Sequence, residues 1–128
     1  MAVQTIDHAA RASALRAAGA NCAAAVLGAY ADTLGLTVES AQRLAAGLGA
    51  GLGDGQGTCG AVLAAHMVLG QRFGDDPHAL KAQTRAFRAA FRAQVGEDLR
   101  CAQLRKNKQS CDTLVAQTIQ LLEEAERP

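Results

Sequence analysis

Apolar residues recur at helical spacing in the segment that follows Asp76-Pro77, which predicts an amphipathic helix. Asp76 can cap the first turn, proline suits the first helical position, and Gly96 ends the pattern. Basic residues separate the apolar ones and fall elsewhere on the helix. The predicted buried face consists of Leu80, Thr84, Phe87, Phe91 and Val95.

Helical patterns cover most of the remaining chain, and no segment alternates between apolar and polar residues as a strand does. The last predicted helix follows Ser110 and carries Leu114, Thr118, Leu121 and Ala125 on one stripe. We therefore expect an all-α fold, a single compact bundle of five or six helices, with residues 1–128 as one domain. The other predicted helical segments are 5–18, 22–34, 38–48, 59–73 and a short piece over 99–104.

A glycine-rich segment interrupts the helical pattern before Cys59. Every second residue from Gly47 to Gly57 is glycine. Such a run suits neither a helix nor a strand face, because glycine has a high conformational entropy and no side chain to pack. We expect an irregular loop over the cysteine site.

Composition supports the helical prediction and argues against a nucleic acid or a membrane as the partner. Aromatic residues make up only 3% of the chain, and 13 basic residues balance 12 acidic ones, so the formal net charge is +1. A nucleic-acid binder normally carries a basic field, and we expect none here. The run Arg105–Lys108 is interpreted as a solvated loop. No apolar run reaches the ~20 residues that cross a bilayer, so no membrane association is expected.

The N-terminal segment has no secretory character, because charges are scattered through Met1 to Arg16 without an apolar core. We therefore expect a cytoplasmic protein. Thiols are kept reduced in that compartment, so an even number of cysteines favours metal or redox work over structural disulfides.

Cysteine is the residue type on which a chemical function would rest. Cys22, Cys59 and Cys111 each fall in the first turn of a predicted helix, after Asn21, the glycine segment and Ser110. The positive end of a helix dipole favours the thiolate, which is the form that binds metals and attacks disulfides. Cys101 lies in the short helical piece. The alternative is that each cysteine is an ordinary small core residue.

Other motifs are weaker candidates. Zinc ribbons and thioredoxin-like sites use C-x-x-C pairs, and none is present. Gly55–Gly60 fits G-x-G-x-x-G, but no strand precedes it, and no lysine follows the glycines as a P-loop requires. His66 lies seven residues after Cys59 and is interpreted as a core histidine rather than a ligand. His8 and His78 are near helix starts, where we expect them to be solvated.

The order of these motifs resembles the redox-active four-cysteine family that is named for the pattern C…GCAxxG…C…C. The resemblance extends from about Ala18 to Leu122 and rests on Asn21-Cys22-Ala23, the glycine-rich approach, Cys59-Gly60-Ala61, Cys101 and Cys111. Thr58 precedes Cys59 and Gly60 follows it, so the Gly-Cys-Ala order of the family pattern is not literal here. Leu63 or Ala64 stands where the pattern ends in glycine.

The resemblance implies a helical domain with a cysteine-based redox or iron–sulfur role. Our leading hypothesis is electron transfer by an iron–sulfur cluster on Cys22, Cys59, Cys101 and Cys111, since four thiolates are the usual complement of a cluster. The alternatives are a thiol–disulfide or sulfur-handling protein, with pairs such as Cys101 and Cys111, and a structural zinc domain that serves as an interaction module. We expect a redox protein partner and leave a homodimer open.

Overall fold

The computed structural model describes residues 6–125. Its helices are α1 (His8–Ala17), α2 (Cys22–Ala29), α3 (Ala31–Leu34), α4 (Val38–Ala45), α5 (Gly60–Phe73), α6 (Pro77–Val95), α7 (Cys101–Lys106) and α8 (Cys111–Glu124). A 3-10 helix (Ala46–Leu48) and a π-helical turn (Gly51–Gly55) connect α4 to α5. The described part contains no strand, only an isolated antiparallel bridge between Thr58 and Arg100. The all-α prediction is confirmed.

Helix α2 forms the centre of the bundle. All eight of its residues are buried, and it packs against α1, α4, α5 and α8. Small side chains dominate α2, so neighbouring helices approach it closely. Helix α5 also packs against α6 and α8. The first residues of α2 and α5 therefore lie together inside the bundle.

Side-chain caps fix the helix starts that the sequence predicted. Asn21 accepts a hydrogen bond from the Ala24 amide at 2.9 Å, Thr37 from Ser40 at 3.0 Å, and Ser110 from Thr113 at 3.1 Å. Asp76 caps α6 in the same way. Each cap satisfies an amide that has no partner within its own helix.

The number of helices differs from the prediction: eight α-helices are present in residues 6–125, where five or six were expected. The predicted helix over 22–34 is divided at Tyr30, whose φ of −101° and ψ of 16° leave the helical region. Helix α4 ends at Ala45 and continues as the 3-10 helix. The predicted first helix began at Thr5, which lies outside the described residues, as do the other residues of Met1–Thr5.

The glycine-rich segment also differs from the expected irregular loop, because it winds into two short helical turns. Ala50 and Leu52 both have positive φ, at 54° and 64°. Gly51 has a φ of 59°, and a Cβ atom there would lie 2.6 Å from Cβ of Cys101. Glycine is required at this position both by the left-handed conformation and by the close approach of α7.

The predicted apolar faces are buried at most positions, whereas Leu80 and Thr84 of α6 and Ala125 after α8 are only partly buried. Phe87, Phe91 and Val95 of α6 and Leu114, Thr118 and Leu121 of α8 are all in the core. No helix in residues 6–125 has both the length and the hydrophobicity that crossing a membrane requires.

Candidate functional site

Cys22 is the first residue of α2, and two hydrogen bonds of the neighbouring Asn21 side chain fix its position. The Asn21 side chain accepts the hydrogen bond from Ala24 that caps the helix. Its Nδ2 group donates to the carbonyl of Ala46 at 2.9 Å. The start of α2 is therefore tied to the beginning of the glycine-rich segment.

Cys59 immediately precedes α5 and lies against Cys22. Its amide donates to the carbonyl of Leu99 at 2.7 Å, which holds it beside the segment that leads into α7. Cys22 is 5% exposed and Cys59 is 2% exposed. The two thiol groups interact, and a hydrogen bond between them is the largest cause of the pKa shift of each.

Gly60 makes this pairing sterically feasible. A Cβ atom on Gly60 would lie 2.9 Å from Sγ of Cys22 and 2.7 Å from the carbonyl oxygen of Leu48. Both distances are shorter than real Cβ contacts allow. The absence of a side chain at Gly60 therefore lets the Cys22 sulfur reach the N-terminus of α5.

The pKa values of the two thiols are shifted in opposite directions, which favours Cys22 as the thiolate. The hydrogen bond from Cys59 lowers the pKa of Cys22 to about 5 against the opposing effect of burial, and the amides of Ala50, Ala23 and Ala61 add to the lowering. The same hydrogen bond, together with burial, raises the pKa of Cys59 far above its usual value. Amides at the starts of two helices thus stabilise the anion, and Cys59 supplies the proton of the bond.

Cys101 and Cys111 are also the first residues of helices, α7 and α8. Cys101 lies next to the glycine-rich segment, because its amide donates to the carbonyl of Gly57 at 2.9 Å. Burial raises the pKa of Cys101, and negative charge on Cys22 and on Cys111 adds to this effect. Cys111 is partly exposed.

Arg16 is a charged residue of the site that the sequence did not single out. Its Nε donates to Asp112 at 2.8 Å and its Nη1 to the carbonyl of Ala20 at 2.9 Å. Interactions with Asp112, then with Cys111 and Cys22, raise the pKa of Arg16. The guanidinium is therefore a positive charge near two of the cysteines, held by residues that adjoin them.

The four predicted site residues are only partly brought together. All four lie at helix starts, and all four are free thiols. The hydrogen-bonded contact joins only Cys22 and Cys59. Within residues 6–125 no three or more Cys, His, Asp or Glu side chains are grouped so that they could hold a metal ion. The contact seen among the four cysteines is thus the Cys22–Cys59 pair.

Both ring nitrogens of His66 are in hydrogen-bonded contacts with the protein. His66 Nδ1 lies 2.7 Å from the carbonyl of Val62, and its Nε2 lies 2.8 Å from Nη1 of Arg88. Since a carbonyl only accepts and a guanidinium only donates, His66 is the neutral Nδ1–H tautomer. Burial and then Arg88 lower its pKa, although the Val62 contact opposes this.

The expectation that His8 is solvated was wrong. His8 is 7% exposed, because it contacts the carboxylates of Glu123 at 2.8 Å and Asp32 at 3.3 Å and stacks on Tyr30. His78 is exposed at the start of α6, as expected.

Comparison of the sequence with known proteins and protein families identifies one family. No curated protein and no solved structure matched the chain. The family model described as "Putative redox-active protein (C_GCAxxG_C_C)" matches residues 20–125, which include all four cysteines and the glycine-rich segment. The chain therefore belongs to the C_GCAxxG_C_C family of redox-active proteins, and its role is a cysteine-based redox one.

Proposed function

We propose that Cys22 and Cys59 are a dithiol–disulfide couple that exchanges electrons with a redox protein partner. The observation that carries this proposal is the close approach of two buried cysteines, with the Cys22 sulfur beside the start of α5 and Cys22 favoured as the thiolate. A thiolate is the attacking species in disulfide exchange, and a second thiol within contact distance can resolve the intermediate.

The exchange is written as two steps. The Cys22 thiolate attacks one sulfur of the partner's disulfide, which forms a mixed disulfide and releases one partner thiolate. That thiolate takes the proton of Cys59, and Cys59 then attacks the Cys22 sulfur and releases the second partner thiolate. Two electrons pass to the partner, and a Cys22–Cys59 disulfide remains.

Access to the pair depends on the glycine-rich segment. Cys22 is 5% exposed, and the amide of Ala50 is one of the groups that stabilise its charge. A protein disulfide therefore reaches Cys22 only when this backbone moves. Glycine-rich backbone suits such a movement, because it has few steric barriers to a change of conformation.

The experiment is a redox titration in glutathione buffers of defined ratio, with free thiols counted in the unfolded protein. We expect a loss of two thiols per chain, and mass spectrometry of peptides should find Cys22 linked to Cys59. The matched control is a Cys101→Ser, Cys111→Ser double variant, which should lose the same two thiols. A disulfide between Cys101 and Cys111 in the wild type, or none, would refute the proposed couple.

Iron–sulfur binding is a second proposal, supported by the position of all four cysteines at helix starts and by the influence of Cys22 and Cys111 on the pKa of Cys101. It requires the cysteines to form a ligand group that residues 6–125 do not form here. Protein supplied with iron and sulfide without oxygen should become brown, bind iron, and lose it in a Cys101→Ser variant. Uptake of zinc alone would support the interaction module instead. Colourless protein without iron would refute iron–sulfur binding and leave the dithiol couple as the proposed function.

A further inference from the structure

A cavity of about 420 Å³ lies beside the cysteine pair, between α6 and the segment that leads into α7. Leu99 lies in its wall, and the carbonyl of Leu99 is the group that accepts the hydrogen bond from the Cys59 amide. The charged and polar residues around the cavity are Thr58, Arg88, Arg92, Glu97, Asp98 and Arg100. Three arginines thus line one space next to Cys59.

Two of these arginines repel each other. Arg88 and Arg92 are four residues apart on α6, so they lie on the same face of the helix, and like charges at this spacing are destabilising. Among the described residues neither forms an ion pair with a carboxylate. Neither positive charge is therefore paired with a carboxylate of residues 6–125.

Both side chains are nevertheless held in place by neutral acceptors. Arg88 Nη1 donates to Nε2 of neutral His66 at 2.8 Å. Arg92 Nε donates to the backbone carbonyl of Glu97 at 3.2 Å. Each guanidinium is thus oriented while its charge and its remaining N–H groups stay available.

The third arginine is already neutralised. Arg100 forms a bidentate pair with Asp98, with Nη2 at 2.6 Å from Oδ2 and Nε at 3.0 Å from Oδ1. Asp98 is therefore not available to Arg88 or Arg92. Against their two charges only Glu97 remains unpaired, which leaves the cavity with one excess positive charge.

We propose that this cavity binds a small molecule through an oxyanion group, a carboxylate or a phosphate, held between Arg88 and Arg92. The guanidinium fork matches both groups with paired hydrogen bonds. The volume lies within the range of about 300–1,000 Å³ that is usual for small-molecule sites. A bound anion would remove the repulsion along α6. This site does not depend on the redox chemistry proposed for Cys22 and Cys59.

The test is a titration of the whole chain with inorganic phosphate and with succinate, at an ionic strength matched with chloride. Backbone amide NMR signals of Thr58, Leu99 and Arg100 should shift and saturate with at least one of the two. The probe that binds more tightly identifies the group as phosphate or carboxylate. Arg92→Gln should weaken binding about tenfold or more, because one charge-assisted hydrogen-bonded contact is lost.

The matched control is Arg85→Gln, which removes an exposed arginine of the same helix that does not line the cavity. It should leave the affinity nearly unchanged. Arg92→Lys, which keeps the charge without the fork, should give an intermediate affinity and replaces Arg92→Gln if that variant does not fold. Equal weakening by Arg85→Gln and Arg92→Gln would overturn the proposal, and so would the absence of saturable binding of either probe to the wild type.

Discussion

Reduced protein is expected to show an acidic thiol transition that Cys22→Ser removes. The hydrogen bond from Cys59 and the surrounding amides lower the pKa of Cys22 to about 5. Above that pH the group is a thiolate, and below it the group is protonated and loses its nucleophilicity. The thiolate absorbance in the ultraviolet, followed during a pH titration, should therefore rise near pH 5 in the wild type.

Substitutions at Cys59 separate the contribution of its hydrogen bond from that of the amides. A serine hydroxyl can still donate to the Cys22 thiolate, whereas alanine cannot. Cys59→Ala should move the transition furthest toward the ordinary thiol value of 9.0, and Cys59→Ser should lie between it and the wild type. As the pH is lowered, the rate of disulfide exchange should fall over the same pH range as the thiolate absorbance. An unchanged transition in Cys59→Ala would contradict the assigned hydrogen bond.

Gly60→Ala is expected to destabilise the fold and disturb the thiol pair at the same time. The added methyl group would collide with the Leu48 carbonyl at 2.7 Å and the Cys22 sulfur at 2.9 Å. Overpacking of this kind costs about 1–3 kcal/mol in free energy of unfolding. Urea denaturation should measure this loss. The thiolate titration should show a raised pKa for Cys22, because its sulfur is pushed away from α5.

The matched control is Gly70→Ala in the same helix. No atom lies within 4 Å of a Cβ at Gly70. Alanine there should stabilise α5 by about 0.5–1 kcal/mol, because the unfolded chain has less conformational entropy to lose with alanine than with glycine. A Gly60→Ala variant as stable as the Gly70→Ala variant would show that α5 and α2 approach less closely than described.

Local signals in the sequence were sufficient for most helices and their starts. The helices predicted after Asn21, Asp76 and Ser110 begin there, and each of these residues caps its helix. The buried face of α6 followed from its period, because apolar spacing directly determines which side of a helix faces the core. These features depend on residues only a few positions apart.

The division of the helices could not be predicted in this way. Nothing in the local sequence at Tyr30 requires α2 to end there, and Tyr30 is fully buried where His8 stacks on it. The glycine pattern predicted an irregular loop between α4 and α5. It did not indicate a π-helical turn, because that conformation is set where Gly51 meets Cys101 of α7.

For the candidate site, the sequence by itself determined the four cysteines and their positions at or near helix starts, and with them the family. Only the tertiary structure decided which thiols meet. Cys22 and Cys59 are 37 residues apart, and their contact depends on the packing of α2 against α5 across Gly60. The site at Arg88 and Arg92 likewise could not be predicted from the sequence alone. Their spacing on α6 is visible in the sequence, but the cavity they share with Arg100 forms only when distant segments pack together.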